Sequence, residues 1–219
     1  MVTLVRNKGF TLVEILIAIS ILAIVLTTIY AAYTGTLRIV RDTGYSDDIY
    51  SMARVTLKRM TDDLESVCSY KESFKFFSSQ NQFDDQRFTD ISFLSSAHVS
   101  FDDTPSAGNA RIGYYIRKEF DKEEYALFRE DELFRGEEGK FTDSHGDKGY
   151  IICNHIQSVT YTFYDSNGNE YETWNSDSDT TKNKAPALVS IQLNLTNPDD
   201  KDNPYRFMTT ARIPMAGKQ

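Results

Sequence analysis

The sequence predicts an α+β protein in which one long N-terminal helix packs on antiparallel β-sheets. Three observations predict it. An almost unbroken apolar run extends from Ile15 to Tyr33. Ile49, Ala53, Leu57, Met60, Leu64 and Val67 then recur at spacings of three and four, the stripe of an amphipathic helix. Beyond Cys68 the pattern changes to period two with short aromatic runs, the signature of half-buried strands.

The apolar run is long enough to cross ~30 Å of hydrocarbon as a helix. It is preceded by a short leader with Arg6 and Lys8 and no acid, then by Gly9-Phe10. Glu14 stands at its entrance, and Ser20, Thr27 and Thr28 are its other strongly polar interruptions. A secretory signal peptide needs a small-residue cleavage site after the apolar core, whereas here Gly9 precedes it. A plain signal anchor fits the composition but leaves Glu14 unexplained, because an unpaired carboxylate at membrane depth costs about 2.5–3.5 kcal/mol or more. A buried core helix fits worst, since the run is apolar on every face.

No proline occurs between Thr34 and Val67, so the helix pattern continues, and one helix is expected from about Phe10 to Val67. Gly35 and Gly44 weaken it between an apolar first half and an amphipathic second half. Strands are expected at Ile91–Leu94, Ala110–Arg117, Tyr125–Arg129, Val159–Tyr164, Glu170–Trp174, Ala187–Leu195 and Tyr205–Ile213. Asp165-Ser166-Asn167-Gly168-Asn169 reads as a turn between two of them, and Asn197-Pro198 through Asn203-Pro204 as a loop. The strands are expected to form antiparallel meanders with the helix over one sheet face.

The residues Lys8-Gly9-Phe10-Thr11-Leu12-Val13-Glu14, followed by the apolar run, resemble the processing site of type IV prepilins and type II secretion pseudopilins. The resemblance implies a pilin-like fold. It also implies cleavage by a membrane aspartic peptidase between Gly9 and Phe10, then N-methylation of Phe10. Residues 1–9 would be the leader peptide, 10–35 the transmembrane and filament-core helix, and 36–219 a periplasmic α+β domain. Glu14 would be the fifth mature residue, pairing in assembly with a neighbour's N-terminal amine. That pairing relieves the cost of two lone buried charges. Met52 to Val67 with Asp63-Leu64-Glu65 resembles the helix end of J-type minor pseudopilins. Leu127-Phe128-Arg129, the aromatic Val159–Trp174 stretch and Pro186-Ala187-Leu188-Val189 are similar to strands of that family. W-type minor pilins share much of this pattern, and Glu14 argues against a K-type tip subunit. The implied partners are I- and K-type minor pseudopilins, the major pseudopilin, the prepilin peptidase and the inner membrane. The implied role is structural, without a catalytic site or cofactor.

The formal charge is −8, and loss of Arg6 and Lys8 with the leader would take it to −10. An acidic chain argues against nucleic acid as a partner. Cys68 and Cys153 are the only cysteines; in an oxidising compartment they form a disulfide or remain two separate buried thiols, and sequence does not choose. Ile151-Ile152 before Cys153 suggests a buried run. His98, His145 and His155 lack metal-ligand spacing, and no phosphate-binding, dinucleotide or nucleophile-elbow fingerprint occurs. Asp177-Ser178-Asp179 and Asp199-Asp200-Lys201-Asp202 could offer oxygens to Ca²⁺, but they lack the full EF-hand pattern, and such runs are usually solvated loops. The charge rule leaves orientation open, because Arg6 and Lys8 precede the span and Arg38 and Arg41 follow it.

Overall fold

The computed structural model describes residues 9–83, 86–99, 108–118, 124–134, 136 and 149–214, with backbone alone at 38–43, 83 and 86. The leader residues Arg6 and Lys8, and His145, lie outside the described residues. One helix, α1 (Leu12–Glu65), is followed by ten strands. These are β1 (Ser69–Tyr70), β2 (Ser73–Phe74), β3 (Phe76–Phe83), β4 (Gln86–Ser95) and β5 (Ala110–Lys118). Then come β6 (Tyr125–Leu133), β7 (Tyr150–Tyr164), β8 (Glu170–Tyr171), β9 (Leu188–Leu195) and β10 (Tyr205–Arg212). The chain divides into two units, Met1–Ile49 and Tyr50–Gln219.

In the first unit, every described side chain from Gly9 to Leu37 is exposed. Leu12–Leu37 is the stretch, among the described residues, long and apolar enough to cross a bilayer. Its hydroxyls are satisfied within the helix. Ser20 Oγ donates to the Leu16 carbonyl at 2.8 Å, Thr27 Oγ1 to Ala23 at 2.7 Å and Thr28 Oγ1 to Val25 at 2.8 Å. Such back-bonding hides the polar groups that the sequence showed as interruptions. Gly35 and Gly44 are both helical.

In the second unit, Ala53, Leu57, Met60 and Leu64 are buried at spacings of four, three and four, so the last turns of α1 place one face in the core. The helix stops at Glu65 because the next residues bond to the sheet instead. Val67 bridges to Ser95, and the Cys68 N–H donates to the Leu94 carbonyl at 3.0 Å.

The strands form one antiparallel meander in the order β10-β9-β7-β6-β5-β4-β3, with β8 beside β7; β1 and β2 make a separate small hairpin. β7 serves two partners. Its first half pairs with β6 and its second with β9, and the register shifts beside His155, whose φ of 58° marks a bulge. Gly149, just before β7, is required by close approach. A Cβ there would lie 2.2 Å from the Tyr115 hydroxyl. The core is strongly aromatic, with Phe76 stacked on Phe93 at 5.4 Å and edge-on to Phe163 at 5.7 Å.

After β8 the chain crosses to the far end of the sheet. Trp174–Ser176 lies along β3, with Ser78 N–H donating to the Trp174 carbonyl at 2.8 Å and Ser176 N–H to the Phe76 carbonyl at 3.0 Å. The sheet thereby curls, and β3 gains a cover along part of its outer edge. This crossing also explains why the expected Glu170–Trp174 strand is two residues long.

All seven expected strands are found, with β7 beginning at Tyr150 rather than Val159. The sequence reading lacks the two-residue strands β1 and β2 and the longer β3. The Ser78-Ser79-Gln80-Asn81-Gln82 centre of β3 has weak strand propensity and draws its order from β4 and the Trp174 crossing. The expected buried run before Cys153 is corrected. Ile151 is 40% exposed, because a register shift separates it from Cys153: Ile151 pairs with Phe128, whereas Cys153 pairs with the buried Leu127.

Leu64 is fully buried, so Leu64→Ala is expected to destabilise the second unit by about 2–5 kcal/mol. Denaturant titration checks this, and a loss under half a kcal/mol would show that the stripe is not core.

Candidate functional site

The helix begins in a reciprocal arrangement of Thr11 and Glu14. The Thr11 backbone N–H donates to Glu14 Oε2 at 3.0 Å, and its hydroxyl lies 3.1 Å from the same oxygen. The Glu14 N–H donates to Thr11 Oγ1 at 3.3 Å, and the Ile15 N–H to the Thr11 carbonyl at 3.3 Å. This is a capping box, with Thr11 at the N-cap and Glu14 three residues on. The two satisfy donors that a helix start leaves without partners, and a carboxylate there also faces the positive end of the helix dipole.

Gly9 and Phe10 precede this cap as non-helical, exposed residues, Phe10 at 84%. A Cβ on Gly9 would meet nothing within 4 Å, so nothing in the chain itself demands glycine there. A requirement for glycine at this junction would come from whatever acts on it. The structure therefore brings Gly9, Phe10 and Glu14 into one short segment at the helix entrance. The sequence reading missed that Glu14 has a partner in its own chain. Thr11-x-x-Glu14 was the available signal, a capping-box spacing directly before an apolar run.

The second unit holds a buried charge cluster where the end of α1 meets the sheet. Arg129 on β6 is fully buried and donates through Nε to Asp63 Oδ2 at 2.6 Å and through Nη2 to Asp63 Oδ1 at 3.3 Å. Its Nη1 reaches Asp131 Oδ2 at 2.8 Å and the Tyr150 hydroxyl at 2.9 Å. Asp63 also receives the Tyr114 hydroxyl at 2.5 Å and lies 3.1 Å from Arg59 Nη2. His98 Nδ1 is 2.5 Å from Asp131 Oδ1. Two carboxylates thus face two guanidinium groups, and the desolvation of each is offset by several charge-assisted bonds.

The local pKa values follow. Burial and the neighbouring Asp63 carboxylate push the Tyr114 phenol well above its usual range. For Asp131, burial pulls upward, but the Val99 N–H, His98 and Arg129 outweigh it and hold the carboxyl below its usual range. Burial also works against the Arg129 charge, and the bonds to Asp63 overcome it, so its pKa rises. The cluster has no water-facing nucleophile, and its geometry is that of a structural clamp.

Cys68 and Cys153 are free thiols, so the possible disulfide is not formed. Cys153 sits on β7 near Met52 and Thr56 of α1, whereas Cys68 follows the end of the helix at Glu65. Nine residues from Thr56 to Glu65 rise about 13 Å, beyond the ~7 Å between Cα atoms that a disulfide tolerates. Burial pushes the Cys153 thiol up to about 11 and raises that of Cys68. His155 pairs with Glu124 at 2.7 Å, away from His98. Among the described residues no three His, Cys, Asp or Glu side chains converge as metal ligands. A cleft of about 210 Å³ includes Phe74, Asp165, Tyr171 and Trp174, but Asp165 there is engaged by the Asn167 and Asn169 N–H groups as the predicted turn.

Arg129→Met would leave Asp63 and Asp131 short of a buried cation and is expected to cost about 3–5 kcal/mol. Because the Asp131 pKa is lowered on folding, its stabilisation is complete above about pH 4 and disappears as pH falls through the folded value. Asp131→Asn should therefore flatten the acid limb of a stability profile. Denaturant midpoints measured across the acid range check both, and an unchanged acid limb would refute the role of Asp131.

Residues 4–30 match the family model for the prokaryotic N-terminal methylation motif. No curated protein matches the chain. The matched stretch contains Gly9, Phe10, the capping box and most of the apolar span. The N-terminal segment is a type IV pilin-like prepilin signal, joined to an apolar helix suited to single-pass membrane anchoring.

Proposed function

We propose that the chain is a minor pseudopilin of the type II secretion system, a non-enzymatic structural subunit at the pseudopilus tip that assists assembly and protein export. The observation that carries this reading is the methylation motif over residues 4–30, with Gly9-Phe10 and Glu14 in register before an apolar span. The α+β domain and the buried Arg129 of the Leu127-Phe128-Arg129 strand support the J-type assignment. The prepilin peptidase cuts after Gly9 at the cytoplasmic face of the inner membrane, and the second unit stands in the periplasm. The partners are I- and K-type minor pseudopilins and the major pseudopilin.

In this reading the capping box sets the order of events. Within the lone subunit Glu14 is held by Thr11, so the carboxylate does not enter the membrane without a partner. On assembly it turns to the methylated amine of a neighbouring Phe10. Ala18, Ser20 and Ala23 let neighbouring helices approach closely. Minor pilins that prime type IV pili use the same N-terminal chemistry, and neighbouring genes discriminate between the two systems.

Two outcomes are expected. Intact mass spectrometry of membrane-extracted protein should find a chain beginning at methylated Phe10; a mature chain beginning at Met1, or beyond Tyr33, overturns the processing. Glu14→Gln should leave insertion, cleavage and folding intact but weaken recruitment by other subunits, read by cysteine crosslinking along residues 14–40. Crosslinking equal to the parent refutes the ion-pair account. No pilin-like crosslink even in the parent favours a membrane-anchored binding module that never polymerises.

A further inference from the structure

The two ends of the curled sheet differ. β3 is covered along Phe76–Ser78 by the Trp174–Ser176 crossing. β10 closes the strand order at the other end and pairs only with β9 among the described residues. It is eight residues long, contains no proline, and keeps a continuous register with β9 from Tyr205↔Leu195 to Arg212↔Leu188. A long regular edge of this kind is a template for another strand, and neither a bulge nor a proline interrupts it.

The side chains of β10 specify what fits. Arg206, Met208, Thr210 and Arg212 stand exposed on the outer face, Met208 at 69%. Opposite them on β9 are Asn194, Gln192, Ser190 and Leu188, so neither arginine faces an acid across the strand pair. On the inner face the half-exposed Tyr205 and Phe207 rings meet the Tyr50 ring edge-on at 6.2 and 5.3 Å. Tyr50 itself remains 54% exposed. The edge thus offers open backbone groups, an aromatic shelf below and two cations above, in a chain of net charge −8.

We infer that β10 is a docking edge that takes an extended, acidic segment of another protein as an added antiparallel strand. The argument against a second copy of this chain is electrostatic. Antiparallel self-pairing centred on Thr209 sets Arg206 opposite Arg212 twice, and in-register parallel self-pairing sets each arginine beside its own copy. Like charges directly opposite destabilise a strand pair, whereas opposite charges and apolar pairs stabilise it. The matching strand carries carboxylates six residues apart on one face, opposite Arg206 and Arg212, and an apolar residue opposite Met208. Main-chain bonds supply affinity and these positions supply selectivity. The inference does not depend on the secretion or pilus reading.

The test uses the full-length protein in detergent and a synthetic peptide, Asp-Thr-Thr-Thr-Val-Thr-Asp, with blocked termini. Its counterpart has lysine at both ends. The acidic peptide is expected to slow hydrogen exchange of amides within 205–212 and to bind about tenfold more tightly than the lysine peptide at low salt. The doubly substituted R206E/R212E protein, checked for its fold by circular dichroism, should reverse that preference. Because the peptide comparison uses the unaltered protein, a misfolded variant does not remove the test. Equal binding of both peptides, or protection elsewhere than β10, overturns the inference. Protection of β10 that grows with protein concentration and resists the acidic peptide overturns it in favour of self-pairing.

Discussion

The pair formed by Arg129 and Asp63 fixes the second unit. It joins the last turn and a half of α1 to the middle of the sheet through two bonds, at 2.6 and 3.3 Å, between fully buried groups. An apolar stripe alone leaves a helix free to slide or rotate on a sheet by small amounts at little cost. A guanidinium fork on a carboxylate does not, because its bonds are directional and each loses energy steeply when misaligned. The surrounding groups follow from this pair. Tyr114 and Arg59 supply further partners to Asp63, and Asp131 takes up the other side of the guanidinium and then holds His98 and the Val99 N–H. The strand stretch around Arg129 and the segment after β4 are thereby tied to the same helix end.

The N-terminal unit answers a different constraint, that of polar groups in an apolar stretch. The hydroxyls in that stretch turn back onto the preceding turn, and Glu14 at its entrance turns back onto the helix start. Both devices are local, reaching three or four residues. This is why the segment needs no tertiary partner to satisfy its own polar atoms. The same locality makes the arrangement exchangeable, since an ammonium is a stronger partner for Glu14 than a neutral amide N–H.

Much of this was legible in the sequence. The apolar run, the stripe at threes and fours and the seven strands were readable because each rests on a local period. Asp63 and Arg129 belong to separate sequence motifs, yet their pairing spans 66 residues and no local pattern encodes it. β3 escaped for the related reason that its polar centre is made a strand by its neighbours rather than by its own propensity. The cysteines are a pair whose bonding the sequence leaves open. Both lie near the core, but shared proximity to a helix says nothing about position along it. The capping box rests on a local spacing, Thr11-x-x-Glu14, and is legible in the sequence in the same way as the stripe and the strands.

The crossing of Trp174–Ser176 onto β3 has a consequence for how the chain is made. The bonds that cover β3 join residues 96 to 100 positions apart. Synthesis runs from the N-terminus, so β3 and β4 emerge and can pair while their cover has not yet been translated. Closing so long a loop is slow relative to forming a hairpin. The nascent sheet therefore passes through a stage with both outer strands bare. The serine-, glutamine- and asparagine-rich centre of β3 makes that temporary edge less hydrophobic than a strand of valine and isoleucine would be.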